Sequence, residues 1–262
     1  MIDRAQLQRL CDIALAAGRE VMDVYGTDFA HVSKEDDSPL TQADLRSDKV
    51  ICDELARAFP GVFILSEESS PQASGTHERF FLVDPLDGTK EFLKRNDEFT
   101  VNIALVEQGV PVAGVVFAPA LGELYYGAQG LGAWKSTRGA APVELKTQPP
   151  ASGAPLRVIG SRSHGGEELT RWLERLPVAH TFVAAGSSLK FCRLAEDAAD
   201  VYPRLGPTSQ WDTAAAQAVL EAAGGAVLEA GGRDLRYGLD RPILNPHFIA
   251  LASRAIPVPP IS

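Results

Sequence analysis

Cysteine is scarce in this chain of 262 residues: there are three, Cys11, Cys52 and Cys192. Their number is odd, they lie far apart, and none has ligand spacing to another. That excludes a disulfide framework and a thiolate zinc site. Three reduced thiols inside helices of a cytoplasmic protein are expected instead. A long apolar run is also missing. The longest uncharged stretch, "GVPVAGVVFAPALG", holds prolines and glycines and is shorter than the about 20 residues that cross a bilayer. No Lys/Arg-rich run occurs, and the formal net charge is −9. A nucleic-acid polymer is therefore disfavoured as a partner, because neutralising its phosphates takes clustered cations. A single phosphate is still within reach of an acidic chain if bound metal ions invert the local charge. The opening segment "MIDRAQLQRLCDIALAAGRE" has charges early and no apolar block after a basic start, so no signal peptide is expected. No internal repeat is visible. With 45% hydrophobic and 23% charged residues, whole-chain disorder is excluded.

What is present is an alternation of helical and strand patterns. Leu7, Leu10, Cys11, Ala14 and Leu15 recur at helical spacing. "SPLTQADLRSDKVICDELARAF" predicts a second helix, with Thr41 as N-cap and Pro60-Gly61 closing it. "VFIL" and "RFFLV" predict strands. "FTVNIALVEQGVPVAGVVFAP" predicts a hairpin around "EQG", and "GELYYGAQGLGAW" continues as short strands. A segment rich in Ala, Pro, Gly and Ser, "STRGAAPVELKTQPPASGAP", marks a boundary between two halves, 1–153 and 154–262. Beyond it, "LRVIG" and "DVYPR" predict strands, while "EELTRWLERL", "SSLKFCRLAEDA" and "QWDTAAAQAVLEAAGG" predict helices. The tail "IPVPPIS" is expected to be loose. The pattern is that of a layered α/β fold.

Acids mark the ends of the first two predicted strands. "VFIL" runs into Glu67 and Glu68, and "RFFLV" into Asp84 and, after Pro85-Leu86, Asp87. If the strands are neighbours, these carboxylates converge at the sheet edge where α/β proteins bind ligands. Packed carboxylates repel one another unless cations compensate, and oxygen-only ligands suit a hard cation such as Mg²⁺. Pro85 fixes the backbone so that Asp84 and Asp87 can face one point, with the Leu86 carbonyl as a backbone ligand. Gly88-Thr89 opens a helical turn whose N–H groups attract phosphate oxygens. Each motif alone has a plainer reading: an acidic loop, a turn, and for Asp212 of "WDTAA" a helix N-cap. Their joint occurrence favours a metal site. The spacing of Asp84 and Asp87, with two residues between, argues against the Asp-x-Asp nucleophile motif of haloacid-dehalogenase-type phosphatases. An evenly spaced calcium loop is not present either.

The ordered set "SPLTQAD", "LSEES", "DPLDGT" and "WDTAA" resembles the inositol monophosphatase superfamily of metal-dependent, lithium-sensitive phosphatases, over nearly the whole chain. The resemblance implies an αβαβα sandwich of the inositol monophosphatase/fructose-1,6-bisphosphatase type. It also implies that Glu67, Asp84 and the Leu86 carbonyl hold one Mg²⁺, and that Asp84, Asp87 and Asp212 hold a second. Glu67 would touch a third, weaker ion through water. Asp44 and Thr89 match the pair that orients and deprotonates the attacking water, and the Gly88-Thr89 backbone cradles the scissile phosphate. Within the superfamily the chain is most similar to 3'(2'),5'-bisphosphate nucleotidases of the CysQ type, through "SRSH", "GSSLKFCRLAEDAADVYPRLGPTSQWDTAAAQAVL" and "LNPHF". That likeness puts Ser161, His164, Ser187 and Lys190 on nucleotide-binding positions; Leu86, Asp87 and Asp212 also face the substrate. Read by itself, "GSSLK" places Ser187, Ser188 and Lys190 at a glycine-led helix start, which suits a second phosphate. Arg162 and Arg204 receive no role. The implied substrate is adenosine 3',5'-bisphosphate, with 3'-phosphoadenylyl sulfate as a second, in sulfur metabolism. Competing readings are the same chemistry on inositol or sugar phosphates, and a non-catalytic metal-dependent nucleotide-binding protein. Monomer or homodimer, and peripheral association with the inner face of the cell membrane, stay open.

Overall fold

Asp3 starts the first helix: its carboxylate accepts from the Gln6 N–H while the Gln6 side chain accepts from the Asp3 N–H. From there α1 (Arg4–Tyr25) buries Leu7, Leu10, Cys11 and Ala14 at the expected spacing. Two short strands, β1 (His31–Ser33) and β2 (Pro39–Thr41), pair with each other. Thr41 caps α2 (Gln42–Ala58), and Gly61, with φ +83°, sits beyond its end. The computed structural model describes residues 2–28, 31–33, 39–69, 77–161 and 166–261.

Seven strands form the first sheet in sequential order. They are β3 (Phe63–Ser66), β4 (Arg79–Asp87), β5 (Thr100–Glu107), β6 (Val110–Ala118), β7 (Glu123–Ala128), β8 (Gly132–Thr137) and β9 (Val143–Leu145). Only β3 and β4 run parallel; the rest is an antiparallel meander. A short helix, α3 (Thr89–Leu93), lies between β4 and β5. The second sheet has the order β11-β10-β12-β14-β13. It consists of β10 (Leu156–Ser161), β11 (His180–Ala185), β12 (Val201–Arg204), β13 (Ala226–Glu229) and β14 (Phe248–Leu251). Helices α4 (Glu167–Glu174), α5 (Leu189–Ala195) and α6 (Gln210–Ala222) connect these strands.

Alternate residues of the first sheet feed two cores. Phe81, Val83, Val101 and Ile103 pack under α1 and α2. Leu82, Ala104, Val116 and Tyr125 pack on α5 and α6, which in turn meet Tyr202, Val227 and Phe248 of the second sheet. A third core joins the far face of that sheet to Leu169 and Trp172 of α4. The layers thus read helix, sheet, helix, sheet, helix, and the αβαβα sandwich is what the chain forms. The α6 layer sits very close to the first sheet. A Cβ on Gly114 of β6 would lie 2.0 Å from the Ala215 carbonyl oxygen, so only glycine fits under the helix. Ala214, Ala215 and Ala216 supply the small face that permits the approach.

Two expectations need correction. The tail is not loose: Ile256 is buried, Val258 and Ile261 pack on the third core, and the Trp172 indole donates to the Pro259 carbonyl at 3.2 Å. Its prolines hide an apolar stripe that a composition reading takes for a linker. Asp212 is not an N-cap; that position is Ser209, and Asp212 lies three residues inside α6. Strands β9, β11, β13 and β14 had no clear sequence signal, being short, or exposed in the case of β11. Among the described residues no helix is long and apolar enough to cross a membrane.

Candidate active site

Parallel pairing brings the acids together. Ser66 ends β3 opposite Val83, and the Glu67 N–H donates to the Val83 carbonyl at 3.1 Å, extending the ladder by one residue. On β4, Asp84 pairs with Asn102, and the register then breaks before Asp87. Pro85 has no N–H to donate, and its carbonyl accepts from the Ser47 hydroxyl of α2 at 2.7 Å. The Leu86 N–H returns to Asp84 Oδ1 at 3.0 Å. Gly88 takes φ +91°, and a Cβ there would crowd the Glu98 carbonyl oxygen at 3.2 Å. Proline thus lies within the break in the ladder between Asp84 and Asp87, and the positive φ just past Asp87 favours glycine.

Asp44 and Asp212 reach the site from helix starts built alike. "TQAD" and "SQWD" are the same reciprocal cap, with the acid at the third helical position. Asp44 Oδ2 accepts from the Thr41 N–H at 2.8 Å and the Thr41 hydroxyl at 2.7 Å. Its Oδ1 lies 3.3 Å from the Thr89 hydroxyl, which is also 3.2 Å from the Leu86 carbonyl. Asp212 Oδ2 accepts from the Ser209 N–H at 2.9 Å. In each, one oxygen holds the helix and the other turns toward the site, in Asp44 onto the Thr89 hydroxyl.

Glu67, Asp84 and Asp212 each offer an oxygen within 4.8 Å of the other two. Asp84 is almost completely buried. Burial, then the charges of Glu67, Asp87 and Asp212, push its carboxyl well above the ordinary range. Burial pushes Asp87 up to about 6, moderated by Lys190 and the Ser188 N–H. Asp212 rises to about 8, through burial and then Asp87. Such mutual repulsion at fixed geometry fits a divalent cation, and an all-oxygen donor set fits a hard one.

A cleft of about 270 Å³ joins these acids to a second group. Glu67, Asp84, Leu86, Asp87, Gly88, Thr89 and Asp212 line it, and so do Ser161, Ser187 and Lys190. Every expected site residue among those described lines this cleft except Asp44, which touches it through Thr89. His164 lies outside the described residues. Lys190 is 5% exposed, and burial lowers it to about 8 against the pull of Asp87. Its Nζ donates to the Ser187 carbonyl at 2.5 Å. The helix-start reading of "GSSLK" changes: the Ser188 N–H is committed to Asp87 Oδ2 at 2.5 Å. Tyr202, which sequence reasoning missed, and Arg204, which it named without giving it a role, also line the cleft. Arg204 is 9% exposed inside a strand, and an arginine in an otherwise apolar strand was the signal.

Residues 3–256 match the model of the inositol monophosphatase family. The chain is 48% identical over 246 residues to the 3'(2'),5'-bisphosphate nucleotidase CysQ of Salmonella typhimurium, an alignment covering 92% of this chain and 98% of that one. It is 47% identical to the CysQ of Escherichia coli K12 with the same coverage. Among solved structures, CysQ from Bacteroides thetaiotaomicron superposes with a TM-score of 0.83 at 36% identity, covering 96% of this chain and 98% of that one. An inositol monophosphatase from Anabaena gives 0.77 at 25% identity, with 97% and 96% covered.

Proposed function

The chain belongs to the inositol monophosphatase family, and from that premise we propose that it is a metal-dependent 3'(2'),5'-bisphosphate nucleotidase. It takes the 3'-phosphate from adenosine 3',5'-bisphosphate, leaving AMP and phosphate, and accepts 3'-phosphoadenylyl sulfate as a second substrate. The observation that carries this reading is the single cleft in which the carboxylate cluster continues into Ser187 and Lys190. Lys190, buried beside Asp87, offers a cation to a second phosphate, which a bisphosphate has and a monophosphate lacks.

Glu67, Asp84 and the Leu86 carbonyl would hold one Mg²⁺, and Asp84, Asp87 and Asp212 a second, with a third held more weakly through Glu67. Bound there, the ions act as Lewis acids that lower the pKa of water and steady the leaving oxygen. The chain does the rest. Asp44 Oδ1 accepts the Thr89 hydroxyl proton, which turns a Thr89 lone pair toward the attacking water and gives its proton a path to Asp44. Asp44 Oδ2 is engaged by Thr41, so the carboxylate cannot rotate away. The Gly88-Thr89 backbone receives the scissile phosphate, and Ser161, His164, Ser187 and Lys190 receive the nucleotide. The free thiols Cys11, Cys52 and Cys192 suit a reducing compartment, the cytoplasm.

Phosphate release from adenosine 3',5'-bisphosphate, inositol 1-phosphate and fructose 1,6-bisphosphate, with and without Mg²⁺, tests the proposal. Preference for the nucleotide, lost when Mg²⁺ is removed, is the expected result. Preference for inositol phosphate would keep the chemistry and overturn the nucleotide pocket. No release from any of the three would make the chain a binding protein.

A further inference from the structure

Asp87 and the turn 186–190 come from opposite halves of the chain, yet a closed set of buried polar contacts ties them together. Asp87 Oδ2 accepts from the Ser188 N–H at 2.5 Å. The Thr100 hydroxyl lies 3.4 Å from the same oxygen, and Asn102 Nδ2 lies 3.5 Å from it. The Ser188 hydroxyl in turn meets Thr100 Oγ1 at 2.8 Å and Asn102 Oδ1 at 2.9 Å. Thr100 and Asn102 are fully buried, and Ser188 is 2% exposed. Neighbouring contacts brace the same turn. The Gly186 N–H donates to Glu98 Oε2 at 2.8 Å, and a Cβ on Gly186 would lie 2.9 Å from the Glu98 carbonyl oxygen. Ser187 is held at φ +44°, a conformation a serine adopts rarely when left to itself. Lys190 closes the turn on the Ser187 carbonyl.

These contacts have a consequence for binding. The turn's geometry depends on where Asp87 Oδ2 sits, and Asp87 Oδ2 depends on the turn. Any ligand that fixes the Asp87 carboxylate therefore also fixes Ser187 and Lys190. A buried hydrogen-bond set of this kind has few alternative arrangements, because each lost bond leaves a polar atom unsatisfied. We propose that Thr100, Asn102 and Ser188 are positioning residues that couple cation binding at Asp87 to nucleotide binding at the 186–190 turn. This rests on the reading of Asp87 as a metal ligand and of the turn as part of the nucleotide pocket. By linkage the coupling is reciprocal: the nucleotide must tighten the cation by the same factor that the cation tightens the nucleotide.

The test uses AMP, which lacks the phosphate that faces the carboxylates, and is repeated with its 3'-deoxy analogue, which also lacks the leaving oxygen, so that direct contact between nucleotide and cation cannot produce the effect. Calorimetric titration of the full chain gives the Kd of AMP with and without saturating Mg²⁺, and the Kd of Mg²⁺ with and without AMP. In the wild type each ligand should tighten the other on the order of 5- to 20-fold. In Thr100→Val, which keeps the shape and removes the hydroxyl, the factor should fall below about 2-fold. Ser188→Ala should do the same, and either variant alone suffices if the other fails to fold. Thr100→Ser, which keeps the hydroxyl, should restore the wild-type factor; a merely structural role for Thr100 would not separate Ser from Val in this way. Undiminished coupling in Thr100→Val and Ser188→Ala overturns the proposal, as does a wild type that binds both ligands independently. A wild type that binds Mg²⁺ but no AMP overturns the nucleotide reading, and this proposal with it.

Discussion

Asp44 and Asp212 each divide their two oxygens between a helix cap and the site, and this division makes their chemistry testable one atom at a time. Asparagine at position 44 keeps an oxygen for the Thr41 N–H but cannot take a proton. Asp44→Asn should therefore leave the fold and Mg²⁺ binding in place and lower kcat by about 10²- to 10⁴-fold. Unchanged phosphate release in that variant would remove Asp44 from the water-activating role. The raised carboxyls give a second expectation. Asp87, pushed up to about 6, and Asp212, pushed up to about 8, hold protons in the folded chain that the unfolded chain releases near 3.8. A carboxyl raised by folding makes the chain less stable as pH climbs through that window, and a cation relieves the cost only once the protons have left. The Tm gain from Mg²⁺ should be larger at pH 8.5 than at pH 5.5; an equal gain at both would contradict the cause assigned to these shifts. At this scale the sequence was legible where ligands are close in the chain. Glu67, Asp84 and Asp87 announce themselves in two short stretches. Asp44 came through resemblance alone, because its partner Thr89 is 45 residues away. Thr100 and Asn102, polar residues at the start of an apolar strand, carry no local mark, and Ser188, legible as part of a helix start, gains its contact with Asp87 only from the fold.

Among the elements, the helices were the easiest to read, since their caps and periodic faces are local features. The edge strand β11 was missed because four of its six residues are exposed and show no alternation. "SQWD" was misread by three residues for a different reason: an acid before an alanine run looks like a cap, and the serine that actually caps sits further back. That shift matters, because the third helical position aims the Asp212 carboxylate back over its own N-terminus and into the cleft. The helix holding it is seated by Gly114. Gly114→Ala must push α6 off the first sheet and should destabilise the chain by roughly 1–3 kcal/mol. It should also weaken Mg²⁺ binding, though no ligand is touched. A shifted Tm with an unaltered Mg²⁺ affinity would show that α6 can reseat without moving Asp212.

Taken whole, the molecule shares one core across its composition boundary. The middle core joins Leu82, Val116 and Tyr125 of the first sheet to Leu194, Ala215 and Leu220 of α5 and α6, and to Tyr202 and Phe248 of the second sheet. Across the same seam, Lys135 bridges Glu123 and Glu196 at 2.7 Å each, and Arg193 donates to the Tyr125 hydroxyl at 2.8 Å. A fragment of residues 1–153 would leave one face of its sheet uncovered. Expressed alone it should show no cooperative thermal transition; a sharp melt would mean the first sheet sustains a core without α6. Layer order was legible from the alternation of elements, but which layer α5 and α6 cover was not, since an alanine-rich helix is apolar enough to be buried on either side.

The acids that meet in the cleft are dispersed along the chain: Glu67 and Asp84 belong to the first sheet, Asp212 to the last helix. A chain still being synthesised carries the residues of the first sheet, the bend at Gly88 and the Asp44–Thr89 pair, but neither the helix that covers the sheet nor the third carboxylate. With Asp212 as a metal ligand, hydrolysis would wait until α6 has emerged and docked on Gly114, and neither a nascent nor a C-terminally clipped chain would degrade nucleotides. The placement of one aspartate would make completion of the fold a condition of activity.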